Sequence, residues 1–150
     1  MKINAPSLLA AALALMVTSA SAQFAKSEDA IKYRKNAMFV MQQNFSRVAA
    51  MAAGKTPFDA KVASDSAAVA EFVATLPWAG FIEGTDKGDT KAKPEIWKEQ
   101  PKFKEQANKM QTEMQKFALA AKTGDLPSIK TAVNATGGTC KTCHDAFRKE

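Results

Sequence analysis

Apolar residues recur every three or four positions along most of the chain from residue 25 onward, which is the period of amphipathic helices. The first stripe predicts a helix over residues 25–53, and Gly54 is expected to end it in a left-handed conformation. The second stripe predicts a helix over residues 59–75, which Pro77 follows. The inner face of this second helix is expected to hold Val62, Ala63, Ser66, Val69, Ala70 and Val73.

A long segment after the second helix lacks this pattern. Residues 76–94 carry three glycines between two prolines, so we expect a long loop there. Trp78 and Phe81 lie near its start, and these large side chains are expected to pack onto the core. The following "PEIW" is expected to form a separate short turn of helix.

Two more apolar stripes predict two more helices. Pro101 suits the first turn of the third helix and Gly124 closes it, while Asp125 can cap the fourth, with Pro127 in its first turn. No stretch alternates between apolar and polar residues as a strand would. The expected fold class is therefore all-α, an antiparallel four-helix bundle, in which cofactor sites lie between facing helices.

The first 22 residues differ from the rest. Lys2 gives a positive start, residues 8–17 are apolar, and Ala20-x-Ala22 offers a cleavage site, which together indicate a secretory signal peptide. The apolar run is shorter than the roughly 20 residues that span a bilayer, so we expect no membrane insertion. Export to the periplasm and a mature domain over residues 23–150 are expected.

Charge adds little to this picture. The chain has a net charge of +6, but its lysines are scattered among acidic residues, and no ladder of basic and aromatic residues accompanies them. We therefore expect a solvated surface and no nucleic-acid partner.

Both cysteines and the single histidine lie within five positions of the C-terminal stretch "TGGTCKTCHDAFRKE". Cys140 and Cys143 share one side of a helix, and His144 follows directly, which is the C-x-x-C-H signature of covalent haem c attachment. Each thiol can add to a haem vinyl group, while the imidazole reaches the iron as an axial ligand. Gly137 and Gly138 either kink the helix or let a flat group approach its backbone.

Three other interpretations of the cysteine pair have less support. A thioredoxin-like redox motif belongs where a strand meets a helix, and no strand is predicted. A disulfide that closes so short a loop would stabilise the fold little. A zinc site would need a second pair of soft ligands, and the chain has no further cysteine or histidine. With His144 on one side of the iron, the other side holds a methionine, an unusual ligand such as lysine, or nothing.

These features resemble the cytochrome c′ family, the four-helix-bundle c-type cytochromes. The resemblance rests on "QFAKSEDAIKYRKNAM" at the start of the mature chain, "LPWAGF" and "PEIW" around the long loop, and "CKTCHDAFRK" at the end. It implies that Arg34 and Lys35 lie near the haem edge, where a guanidinium can pair with a propionate, and that Asp89 also approaches this edge. On sequence alone, an arginine on an amphipathic helix is typical of a solvated face.

The resemblance also implies residues on the two faces of the haem. Met38 is expected over the distal face, with Met41, Trp78 and Phe81 completing a dry pocket. Arg148, four residues after His144, is expected beside the imidazole on the proximal side. Family members with one protein ligand are high-spin, whereas low-spin relatives ligate a methionine from the first helix, and Met38 is compatible with both.

The function implied is gas binding without enzymatic activity: a pentacoordinate iron that takes nitric oxide or carbon monoxide, in nitric oxide handling or protection. The alternative is a low-spin electron carrier that uses His144 and Met38 and serves periplasmic redox partners. A peroxidase is disfavoured because no distal histidine exists to manage protons. The family commonly forms dimers through its first two helices, where Val40 and Ala50 are candidates.

Overall fold

Four long helices make up most of residues 23–150, the part of the chain that this computed structural model describes. They are α1 (Ser27–Ala52), α2 (Ala60–Val73), α4 (Gln100–Thr123) and α5 (Leu126–Phe147), and the short α3 (Glu95–Lys98) precedes α4. A 3₁₀ turn, Pro77–Gly80, lies near the start of the predicted long loop. The bundle and its helix order are as the sequence predicts, and the predicted signal peptide lies outside the described residues.

The helix ends follow from local chemistry. Gly54 and Gly124 follow α1 and α4 with φ of 69° and 70°, so each ends its helix in the left-handed conformation that glycine adopts without steric cost. Asp59 caps α2, accepting a hydrogen bond from the Val62 amide, and Asp125 caps α5 in the same way through Ser128. These caps explain why the predicted boundaries agree with the observed ones to within two residues.

The long helices pack in a ring, with α1 against α2 and α5, and α4 against α2 and α5. The core between them, here called the main core, includes Met41, Val48, Met114, Phe117 and Ile129. A second group, here called the aromatic cluster, lies at the loop end of the bundle. It consists of Ala92, Ile96, Phe103 and Phe147, with Trp78, Phe81 and Trp97 packed against it. The expected packing of Trp78 and Phe81 onto the core is confirmed.

The predicted inner face of α2 is wrong at two positions. Val62 and Val69 are 37% and 42% exposed, whereas Ala67 is fully buried. The helix turns small residues inward, since Ala63, Ser66, Ala67, Ala70 and Val73 are its buried set. Small side chains let helix backbones approach closely, so the larger valines lie on the outer face.

The loop after the 3₁₀ turn joins the end of α5. The Lys93 amide donates to the Phe147 carbonyl at 2.9 Å and the Lys149 amide to the Lys91 carbonyl at 2.7 Å. Ala92 and Arg148 thereby form a single antiparallel bridge. Within residues 23–150, none of the helices combines the length and the apolar composition that crossing a membrane requires.

Candidate functional site

The C-terminal motif lies on the last two turns of α5. The helix continues without interruption through Gly137 and Gly138, although glycine is a weak helix former. A methyl group added at either glycine would meet no atom within 4 Å beyond its chain neighbours and the nearby backbone of α5 itself. The glycines therefore do not break the helix, and the space beside them is open.

The two thiols face apolar surroundings. Cys140 and Cys143 are both half-buried and free. Cys140 packs against the main core, together with Met38 and Trp78, and Cys143 packs against the aromatic cluster. The i, i+3 spacing thus places both sulfur atoms on the side of α5 that faces the two apolar groups.

The protonation of the thiols separates the possible chemistries. Burial raises the pKa of the Cys140 thiol, and burial together with the neighbouring Cys140 raises the pKa of Cys143 to about 11. The thiolate is the form that binds zinc and attacks disulfides, so these raised pKa values disfavour both chemistries relative to an ordinary exposed thiol. Among the residues described here, no group of three or more histidine, cysteine or carboxylate side chains could hold a metal ion.

His144 lies on the exposed side of the motif. Desolvation lowers the pKa of its imidazole, the charge of Arg148 lowers it further, and Asp145 opposes the shift. A lowered pKa favours the neutral imidazole, which is the form that ligates a metal. The side chain is therefore available as an axial ligand at neutral pH.

Arg148 lies outside the helix, contrary to the helical spacing from which its position was expected. α5 ends at Phe147, and Arg148 has extended backbone with φ −118° and ψ 132°. Its amide donates to the His144 carbonyl at 2.9 Å, and its side chain is exposed. Its positive charge lowers the pKa of His144, and its proximal role stays a prediction.

The four residues expected on the distal side all belong to the apolar groups of the bundle or pack against them. Met38, half-buried, and Met41, 7% exposed, belong to the main core or pack against it. Trp78 stacks on Phe81 with ring centroids 6.1 Å apart, and its indole N–H donates to the Ala74 carbonyl at 2.7 Å. Trp78 touches both apolar groups and so connects the Met38 side of the bundle with the aromatic cluster.

Of the three residues expected at the haem edge, two form an exposed ion pair and the third is buried. Lys35 and Asp89 form an exposed ion pair at 2.5 Å, and their position at a haem edge stays a prediction. Arg34 is buried, with only 3% of its side chain exposed, so the solvated face typical of such an arginine is not observed. Both terminal nitrogens of Arg34 donate to groups of the long loop, and its pairing with a propionate stays a prediction.

The residues present fit a covalently attached haem. Half-buried thiols that face aromatic and thioether side chains suit a flat, apolar ring, and a cavity of about 240 Å³ opens beside the aromatic cluster. It is lined by apolar residues, Trp78, Phe81, Ile96, Trp97, Phe103 and Ala107, and by polar ones, Gln100, Lys104, Asn108 and Gln111. Cys143 packs against the same aromatic cluster, although none of the three motif residues lines the cavity itself.

Four residues of this region have contacts at the site that the sequence does not predict. Trp97 and Phe103 line the cavity. In the sequence, Trp97 belongs only to a predicted short helical turn, and Phe103 only to the apolar stripe of a helix. Thr85 and Thr90 bind the Arg34 side chain, and threonines in a glycine-rich loop carry no signal of such a contact. These contacts form only when the long loop, about fifty residues further along the chain, folds against α1.

Comparison with known proteins identifies the family. The family model described as cytochrome c′ matches residues 29–148. The cytochrome c′ of Rubrivivax gelatinosus is 48% identical over 129 residues, which cover 85% of this chain and all of that protein. Its crystal structure aligns over the same shares with a TM-score of 0.82.

Two further solved structures are similar. Cytochrome c prime from Shewanella frigidimarina is 40% identical, with a TM-score of 0.82, over 85% of this chain and 99% of that one. A nitric oxide complex of a variant of cytochrome c prime from Alcaligenes xylosoxidans is 39% identical, with a TM-score of 0.80, over 85% and 99%. Motif, fold and relatives agree, and the chain belongs to the cytochrome c′ family.

Proposed function

We propose that this chain is a periplasmic haem protein whose iron takes small uncharged gases, nitric oxide and carbon monoxide, and that it serves in nitric oxide handling or protection. One haem c per chain would be attached through Cys140 and Cys143, and the His144 imidazole would ligate its iron. With no second protein ligand, the ferric protein would be high-spin. A haem bound here supplies one iron that changes between its ferric and ferrous states and takes the gas.

The observation that carries this proposal is the apolar packing around the core that Cys140 also contacts. Met38 and Trp78 pack into the same core as Cys140, and Met41 beside them is almost fully buried. A polar ligand without a hydrogen-bond partner pays a desolvation cost in such surroundings, whereas a small uncharged gas does not. These side chains would therefore exclude water and anions and admit gases.

Other residues have supporting roles in the proposal. Cys140 and Cys143 would hold the ring through thioether bonds, and the neutral His144 imidazole would ligate the iron. Arg148 places a positive charge near that imidazole. Enzymatic turnover of peroxide would require a proton donor on the open side, and the chain has no histidine besides His144.

A low-spin electron carrier is the second candidate. The half-buried Met38 packs against the core that also receives Cys140, and its unbranched thioether can adapt to irregular space. As an iron ligand, Met38 would raise the reduction potential and favour electron transfer to a periplasmic redox partner. The same residue thus decides between the two functions.

The gas-binding function is tested by comparing carbon monoxide association with the wild-type protein and with Met38→Ala. Removing a side chain that covers the distal face should speed carbon monoxide association with the ferrous protein by about tenfold, or ~1.4 kcal/mol of barrier. Stopped-flow absorption measures this rate. The matched control is Met51→Ala, the same change in the same helix, at a residue buried in the main core. Equal rates in all three proteins would contradict a distal role for Met38.

We further propose that two copies associate through α1 and α2. The outer face of these helices exposes large apolar residues, with Val40 41%, Val69 42% and Phe72 67% exposed, while the second sequence candidate, Ala50, is half-buried. A charge placed there would be buried without a partner in a dimer.

Phe72→Lys is therefore expected to shift the protein from dimer to monomer in sedimentation velocity. Leu119→Lys is the matched control, because Leu119 lies on α4 with a similar exposure of 62%. A monomeric wild-type protein, or dissociation by Leu119→Lys alone, would contradict this interface.

A further inference from the structure

The Arg34 side chain holds the long loop from inside the protein. Its Nη1 donates to the Gly80 carbonyl at 2.8 Å and to Thr85 Oγ1 at 2.6 Å. Its Nη2 donates to the Thr85 carbonyl at 2.6 Å and to Thr90 Oγ1 at 2.8 Å. All four acceptors are neutral, and burial lowers the Arg34 pKa to about 10. A buried charge that is satisfied by carbonyls and hydroxyls of one segment fixes the conformation of that segment.

The same guanidinium supports the wall of the cavity. Its Cζ lies 4.5 Å from the centroid of the Phe81 ring and 5.7 Å from that of Trp97. Both rings line the cavity, and Phe81 also packs against Phe103 with centroids 4.9 Å apart. Arg34 therefore orients aromatic side chains beside the site without lining the cavity itself.

The contact between α1 and the loop is tight. A methyl group added at Gly80 would lie 2.6 Å from the Ala30 carbonyl oxygen and 2.9 Å from Arg34 Cβ. Thr85 is fully buried, and its hydroxyl donates to the Ile82 carbonyl at 2.7 Å while it accepts from Arg34. Neither partner can shift without breaking hydrogen bonds that have no access to water.

A continuous set of bonds extends from Arg34 to the end of α5. Thr90 Oγ1, which accepts from Arg34, also accepts from the Ala92 amide at 3.1 Å. Ala92 pairs with Arg148, and the flanking amides of Lys93 and Lys149 complete the bridge. Residues 80–93, here called the connecting loop, thus join α1, which carries Met38, to the residues that follow His144.

We propose that Arg34 is a positioning residue that holds the connecting loop in one conformation. Through this loop, local opening on the distal side of the site, on α1, is coupled to local opening at the proximal end of α5. Thr85 and Thr90 are its partners in this role. The proposal rests on the proposed function only in its spectroscopic readout, because the linkage itself is a property of the polypeptide. Failure of gas binding would leave the linkage standing, and failure of the linkage would leave gas binding standing.

Hydrogen–deuterium exchange of the holoprotein tests the linkage. In Arg34→Met, peptides that cover residues 80–93 and 144–150 should both exchange faster, by about tenfold, because local opening at one end releases the other. Arg47→Met is the matched control, since Arg47 lies on α1 but bonds only Ser66 among the hydrogen bonds found for its side chain, at 3.2 Å. This control should leave both peptides unchanged.

Isosteric variants test the mechanism in case Arg34→Met fails to assemble. Thr85→Val and Thr90→Val each remove one hydroxyl acceptor and should show the same two-peptide effect in weaker form, while Thr85→Ser should restore wild-type exchange. In the ferrous protein, the iron–histidine stretching band in resonance Raman spectra should broaden in the valine variants and recover in Thr85→Ser. Faster exchange confined to residues 80–93, with residues 144–150 and the Raman band unchanged, would overturn the proposal.

Discussion

The double variant Cys140→Ser/Cys143→Ser is expected to carry no covalently bound haem. Both thiols are half-buried against apolar side chains, and a serine hydroxyl cannot form the thioether that holds the ring. Acid–acetone extraction followed by intact-protein mass spectrometry measures the effect: the wild-type chain keeps the mass of one haem and the variant loses it. Each single variant should keep one thioether and a shifted absorption band.

The control for this experiment is Thr142→Ala. Thr142 lies in the same turn of α5 between the two cysteines, but it is exposed and its hydroxyl bonds only to the Gly138 carbonyl among the contacts found. It should retain haem in full. Haem that resists extraction from the double variant would show that the attachment lies elsewhere.

Phe117→Ala is expected to destabilise the bundle by about 3–5 kcal/mol, the range for truncating a buried phenylalanine. Phe117 is fully buried at the centre of the main core, and its ring meets Phe45 edge-on with centroids 5.3 Å apart. No neighbouring side chain in so tightly packed an interior can fill the space left behind. Denaturant unfolding of the holoprotein, followed by circular dichroism, measures the loss.

Leu119→Ala is the matched control on the same helix. Leu119 is 62% exposed, two residues from Phe117, so its truncation should change the unfolding free energy by no more than about 0.5 kcal/mol. Similar losses in the two variants would mean that the inner and outer faces of α4 are assigned incorrectly.

The sequence predicts most of this fold because its signals are local. Helix ends depend on a few neighbouring residues, and the caps at Asp59 and Asp125 and the glycines after α1 and α4 are visible in the chain itself. The attachment motif is equally local, since three residues close together on one helix supply both thioether bonds and the iron ligand. Helix bounds and motif could therefore be predicted without coordinates.

Features that depend on distant packing could not be predicted in this way. Val62 and Val69 follow the helical period as well as the true inner residues do, and only the close approach of neighbouring helices selects alanines instead. The helical pattern of α1 indicates that Arg34 is on the surface, but the long loop folds over its side chain and buries it. Helical spacing predicts Arg148 beside His144 on the same helix. Its pairing with Ala92, more than fifty residues earlier, instead accompanies the end of α5 at Phe147.

The spin state of the ferric protein tests the central claim most directly, because Met38 either ligates the iron or only covers it. Optical and electron paramagnetic resonance spectra should be recorded at neutral pH for the wild-type protein and for Met38→Ala. We expect a high-spin ferric signal in both, since His144 is the sole protein ligand in the proposed site. A low-spin wild-type signal that becomes high-spin in Met38→Ala would contradict the proposal and establish the His144–Met38 electron carrier instead.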